Sequence, residues 1–122
     1  MSVHVLLVED DAWLGELYAQ LLYDVGFTTK VVSDGHSAIE AIDTQLPQVI
    51  ILDMLLTGGT GIALLHELQS YVDTATIPII VCSSIGVTMP AVDMTAYGVT
   101  RILDKTTMHP NDIVTAVRSV MI

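Results

Sequence analysis

Glu9, Asp10 and Asp11 stand in a row behind one short apolar run, and Asp53 closes another. Ser83 and Ser84 end a third run, and Lys105 follows a fourth. Carboxylates about 4 Å apart repel by about 4 kcal/mol at an effective dielectric near 20, so a cluster of them needs protonation or a cation. All-oxygen ligands suit Mg²⁺, which demands near-octahedral geometry, keeps waters and bridges to phosphate. Lys105 would add a compact positive charge and Ser83 a hydroxyl donor. Such a set suits a phosphoryl group, whose transfer is catalysed mainly by positioning and charge neutralisation. Asp53 would be the nucleophile. Each residue also has a plainer use. The acidic run could cap a helix, Asp53 could be a loop acid, Ser83 a strand-end hydroxyl and Lys105 a solvated charge. Their coincidence at four strand ends favours chemistry.

The elements that must position these residues follow from hydrophobic periodicity. Val3–Val8, Thr28–Val32, Gln48–Leu52, Ile77–Ser83 and Thr100–Leu103 read as buried strands of a parallel sheet. Leu14, Leu17, Tyr18, Leu21, Leu22 and Val25 step by threes and fours as one helical stripe, which Gly26 ends. Ala38, Ile39 and Ile42 begin a second helix closed by Leu46-Pro47, and Leu64, Leu65, Leu68 and Val72 mark a third. A short helix is expected within Gly86–Gly98, starting near Pro90. Ile113, Val117, Val120 and Met121 mark the last, with Pro110 in its first turn. The alternation predicts an α/β fold, a (βα)5 doubly wound sheet of five parallel strands in the order 2-1-3-4-5. Ligands then bind beyond the carboxyl ends of strands 1 and 3, where the acids lie.

A chain of 122 residues with 52% hydrophobic and 15% charged residues suits one packed domain rather than a disordered segment. No apolar run reaches the roughly 18–20 residues of a membrane helix, and the N-terminus lacks a signal-peptide pattern. The formal charge of −10 argues against direct contact with nucleic acid or anionic membrane. The lone Cys82 excludes an internal disulfide, and the expected location is cytoplasmic.

The runs Leu6-Leu7-Val8-Glu9-Asp10-Asp11, Pro47-Gln48-Val49-Ile50-Ile51-Leu52-Asp53, Gly58-Gly59-Thr60-Gly61, Ile77-Pro78-Ile79-Ile80-Val81-Cys82-Ser83 and Leu103-Asp104-Lys105 carry a likeness that spans essentially the whole chain. In order and spacing the sequence resembles the receiver domain of two-component response regulators, of CheY-like, flavodoxin-type fold, covering residues 1–122. The resemblance implies that Asp53 becomes an aspartyl phosphate, taking its phosphoryl group from a histidine kinase or a histidine phosphotransfer protein. It implies Asp10 as a direct Mg²⁺ ligand, Glu9 as a ligand through metal-bound water, Leu55 as a backbone carbonyl ligand beside Asp53, and Ser83 and Lys105 on the phosphoryl oxygens. Asp11 lies one position past the matched pair and is given no ligand role. Catalysis would be confined to the domain's own phosphorylation and dephosphorylation. Output would pass through the face of the fourth helix, fifth strand and fifth helix to a downstream protein or attached domain. The same face can form homodimers in this family, although no residue pattern here establishes one. Nothing after the last helix resembles a DNA-binding or enzymatic output domain.

Three positions depart from the pattern. Ile102 stands where an aromatic switch residue is common, which argues against a ring-flip. Thr106 replaces a proline normally joined through a cis bond, and a non-proline cis bond costs roughly 2.5–4 kcal/mol, so a trans bond and a rearranged loop are expected. Thr57 replaces a further proline. Other signals carry less. Gly58–Gly61 lacks the lysine of a phosphate-binding loop and reads as a turn; His66-Glu67 lacks the second histidine of a zinc motif; His4, His36 and His109 have no ligand spacing. Cys82 reads as buried and inert, while Met89 and Met94 fall on the expected output face. The alternative to a phosphorylation switch is a pseudo-receiver, a binding module of the same fold without productive phosphorylation. A metal-dependent phosphatase fits less well, because Asp53-Met54-Leu55 lacks a second acid to protonate a leaving group.

Overall fold

The computed structural model describes residues 3–56, 59–83 and 98–121, except the side chains of residues 55, 56, 59, 60, 62 and 83. Along the chain run β1 (His4–Val8), α1 (Ala12–Asp24), β2 (Thr28–Val32), α2 (Gly35–Thr44), β3 (Val49–Asp53), β4 (Leu55–Leu56), β5 (Gly59–Thr60), α3 (Gly61–Gln69), β6 (Ile79–Ser83), β7 (Val99–Asp104) and α4 (Asp112–Val120). Five strands form one parallel sheet in the order β2-β1-β3-β6-β7, which is the predicted 2-1-3-4-5. The additional β4–β5 pair is a small antiparallel hairpin between β3 and α3. The helix expected within Gly86–Gly98, with Pro90, Met89 and Met94, lies outside the described residues, as do Ser84, Thr57 and Gly58. α4 here is therefore the last helix of the sequence pattern.

Period-two alternation along the central strands feeds two cores. Leu6, Val8, Ile50, Leu52, Ile79 and Val81 face Ala38 and Ile42 of α2 and Leu64, Leu65 and Leu68 of α3. Val5, Leu7, Val49, Ile51, Ile80 and Cys82 face Tyr18 and Leu22 of α1 and Ile113, Val114, Ala116 and Val117 of α4. This two-sided burial explains why β1, β3 and β6 read as continuous apolar runs. The expectation that all five strands are buried fails for β2 and β7. They are the sheet edges, and most of their residues are exposed or only partly buried.

Local chemistry sets the ends of the helices. Asp11 caps α1, its Oδ1 accepting the N–H groups of Trp13 at 3.0 Å and Leu14 at 3.1 Å. Gly26 ends the helix at φ 93°, a conformation that suits glycine. Asp34 caps α2 through the Ser37 N–H at 2.7 Å. Two terminal expectations need correction. Val72 lies beyond the end of α3 and is 93% exposed, because the helix stops at Gln69 and the chain turns back through the buried Thr74, whose hydroxyl donates to the Leu68 carbonyl. Pro110 precedes the cap Asn111 rather than entering α4, since its carbonyl accepts the Ile113 N–H and so closes a tight turn ahead of the helix.

Candidate functional site

Parallel register carries the predicted residues to one rim. Val8 pairs with Val32 on one side and Leu52 on the other, so Glu9 and Asp53 leave neighbouring strands together. The Glu9 N–H donates to the Val32 carbonyl at 2.9 Å, extending the ladder by one bond. Asp53 pairs with Cys82, and Ser83 with Asp104, which places Lys105 one residue past the sheet.

Glu9 and Asp53 are buried to 3% and 5% exposure, unusual for acids. The Lys105 ammonium bridges them, with Nζ 2.5 Å from Glu9 Oε1 and 3.1 Å from Asp53 Oδ2. Glu9 Oε2 accepts the Asp11 N–H at 3.2 Å, so both Glu9 oxygens are engaged. Burial is the dominant influence on Glu9 and raises its pKa, and the Lys105 bond only partly offsets this. For Lys105, burial pulls the pKa down, but the bonds to Glu9 and Asp53 outweigh it and the net direction is upward. The two directions differ in what they favour: the bonds keep Lys105 in its charged form, whereas burial disfavours the charged form of Glu9 despite the same bond.

Glu9, Asp10 and Asp53 each offer one carboxylate oxygen, and these atoms lie within 4.8 Å of one another. Asp10 is exposed, so the cluster opens to solvent on its side. A cleft of about 530 Å³ adjoins it, lined by Glu9 and Asp10 but not by Asp53 or Lys105, and further by Lys30, Ser33, Ser37 and Glu40. Hard oxygen donors of this kind fit a divalent cation such as Mg²⁺.

The acidic run thus divides its labour: Glu9 and Asp10 enter the site while Asp11 caps the helix. Ile102 is 57% exposed on the edge strand β7. Among the described residues no peptide bond is cis, so Lys105–Thr106 is trans, as its lack of proline predicts. Cys82 is free and buried, its thiol pushed up to about 12 by that burial. The side chain of Ser83 is not described; its backbone ends β6 beside Asp104. Leu55 opens the β4–β5 hairpin, two residues past Asp53.

Sequence reasoning overlooked the way Gly61 supports the site. A Cβ there would meet Met54 Sδ at 2.8 Å, Met54 Cα at 2.9 Å and the Asp53 carbonyl oxygen at 3.1 Å, and the Gly61 N–H donates to the Met54 carbonyl. The only hint in the sequence was a glycine at a helix start, which reads equally well as a turn.

The chain matches the response regulator receiver domain family over residues 5–118. It is 28% identical over 121 residues to the phosphate regulon transcriptional regulatory protein PhoB of Escherichia coli, covering 99% of this chain and 52% of that one. The DNA-binding response regulator MtrA of Mycobacterium tuberculosis is 36% identical over 70 residues, 57% of this chain and 31% of MtrA. The chain therefore spans between about a third and a half of the curated relatives it matches. The chemotaxis response regulator CheY4 of Vibrio cholerae superposes with a TM-score of 0.86 over 98% of this chain and 99% of that one, at 22% identity, and so shares the fold. With the family match covering nearly the whole chain, the protein belongs to the response regulator receiver domains of two-component systems.

Proposed function

We propose that this chain, as a single receiver domain over residues 1–122, is a phosphorylation-dependent signalling switch with Asp53 as the phosphoacceptor. The observation that carries the reading is the Lys105 ammonium touching both Asp53 and Glu9 beside an open three-carboxylate cluster. A binding module without phosphorylation would have no need of two acids and a lysine buried together, and the complete set favours the switch over the pseudo-receiver.

In this reading an Asp53 oxygen attacks the phosphorus of a phosphohistidine on a kinase or phosphotransfer protein. The P–N bond breaks, the departing nitrogen keeps the bonding pair, and the acyl phosphate remains on Asp53. Lys105 faces one phosphoryl oxygen and the Ser83 hydroxyl donates to another. Asp10, Asp53 and the Leu55 carbonyl would hold Mg²⁺ directly and Glu9 through water, and the ion when bound neutralises charge on the phosphoryl oxygens. The double engagement of Glu9, by Lys105 and by the Asp11 N–H, supports its indirect role. The added charge then alters the face built around β7 and α4, which would act on a downstream protein or an attached output domain in the cytoplasm.

The test is incubation with Mg²⁺ and acetyl phosphate followed by intact mass. One added phosphoryl group in the native chain and none in Asp53→Ala is the expected pair of results. Modification persisting in Asp53→Ala would sink the assignment.

A further inference from the structure

The lysine that reaches Asp53 sits on a turn whose geometry is fixed by its two flanking residues. Asp104 Oδ1 accepts both the Thr106 N–H at 2.9 Å and the Thr106 hydroxyl at 2.6 Å, closing a ring around Lys105. The Asp104 carbonyl accepts the N–H groups of Thr107 at 3.2 Å and Met108 at 2.8 Å, and Met108 then packs against the core. Asp104 and Thr106 are both exposed, and neither belongs to the carboxylate cluster of Glu9, Asp10 and Asp53. Those bonds tie together the residues on either side of Lys105. Its ammonium must span to two different strands at 2.5 and 3.1 Å, a placement a free turn would give only part of the time.

We infer that the Asp104–Thr106 clamp is a positioning device for Lys105, so that two surface residues outside the site set how well the lysine meets the phosphoryl group. This rests on the phosphoacceptor reading of Asp53. A net hydrogen bond of ordinary strength corresponds to a rate effect of about fivefold, which is the effect expected of losing the hydroxyl bond. Thr106→Val removes the hydroxyl while keeping size and β-branching; Thr106→Ser keeps the hydroxyl.

The clamp is tested with two readouts on the whole chain. The first is the rate of phosphoryl uptake from acetyl phosphate in Mg²⁺. The second is the NMR signal of the Lys105 ε-methylene group, easily assigned because Lys30 is the only other lysine. Thr106→Val and Asp104→Ala should each slow uptake about fivefold or more and move the Lys105 signal towards that of Lys30. Thr106→Ser should restore both readouts, and the double variant should be no worse than Asp104→Ala alone, since both changes break one ring. An unmoved Lys105 signal in Thr106→Val, a Thr106→Ser variant no better than Thr106→Val, or additive losses in the double variant would overturn the clamp. If the native chain takes up no phosphoryl group, the proposed function falls, while the Lys105 signal still decides the clamp.

Discussion

Replacing Lys105 by methionine removes the ammonium while keeping most of the side chain's length, and the consequence should depend on the metal. The ammonium lies between two nearly buried carboxylates, with its own side chain 12% exposed. Carboxylate oxygens up to 4.8 Å apart repel by at least about 3.5 kcal/mol per pair at an effective dielectric near 20. Removing one partner of a buried ion pair typically costs about 3–5 kcal/mol, a large part of a domain's total stability of roughly 5–15 kcal/mol. We therefore expect Lys105→Met to lose about 3–5 kcal/mol in EDTA. Mg²⁺ should return much of that loss, because a divalent cation then neutralises the acids without an ammonium to oppose it. A Mg²⁺ dissociation constant at least about tenfold lower than in the native chain corresponds to about 1.4 kcal/mol of that opposition. The assay is urea unfolding followed by far-ultraviolet circular dichroism, with EDTA and with saturating Mg²⁺, alongside direct calorimetry of metal binding. An equal loss of stability in both buffers, together with unchanged Mg²⁺ affinity, would refute the view that Lys105 and the metal compete to neutralise one cluster.

Three further outcomes follow from the geometry. Asp11→Ala should cost about 1 kcal/mol by removing the cap of α1 and leave Mg²⁺ affinity unchanged, whereas Asp10→Ala should weaken Mg²⁺ binding without that loss; calorimetry and urea titration on the pair of variants separate the roles. Gly61→Ala should destabilise by about 1–3 kcal/mol despite the better helix propensity of alanine, because its Cβ would press on Met54 and the Asp53 carbonyl, and urea unfolding measures the loss. Cys82 should resist alkylation at pH 8 in the native chain and react once unfolded. Its raised pKa contributes stability that is fully present below the ordinary value of 9.0 and disappears as pH climbs towards about 12. Over that window stability should fall by up to about 1.4 kcal/mol per pH unit more steeply in the native chain than in Cys82→Ala.

The sheet order and the meeting of Glu9, Asp10, Asp53 and Lys105 were legible because each depends on patterns that survive in one dimension. β1 and β3 are apolar on both faces, and the apolar run of each gives way to an acid, Glu9 just past β1 and Asp53 at the end of β3. The division of labour between Asp10 and Asp11 was legible only through the family resemblance, which gave Asp11 no ligand role, since adjacent acids at a helix start look alike until the backbone decides which one turns back to the N–H groups. Val72 misled for a related reason: it continues the three-four spacing of Leu64, Leu65 and Leu68, and spacing alone does not register that Thr74 reclaims the chain for a turn. The exposure of β2 and β7 follows from strand order, a property of the assembled sheet; Thr28-Thr29-Lys30 hinted at it through polarity alone. Gly61 was invisible as a support because close approach to Met54 involves residues seven apart, with no periodic signal.

The burial of Lys105 has a consequence for how molecules find this surface. The chain has four basic residues, and committing one of them to the interior leaves Lys30, Arg101 and Arg118 to face solvent. The outward field is therefore strongly negative. It will gather divalent cations towards the open Asp10 side and repel small anionic phosphoryl donors, whose encounter rate should rise with ionic strength. A protein donor with a basic rim would be drawn in by the same field, and its encounter rate should fall as salt is added. Under the proposed role of Asp53, the fold would discriminate between classes of phosphoryl donor during diffusion, before any of them reached the site.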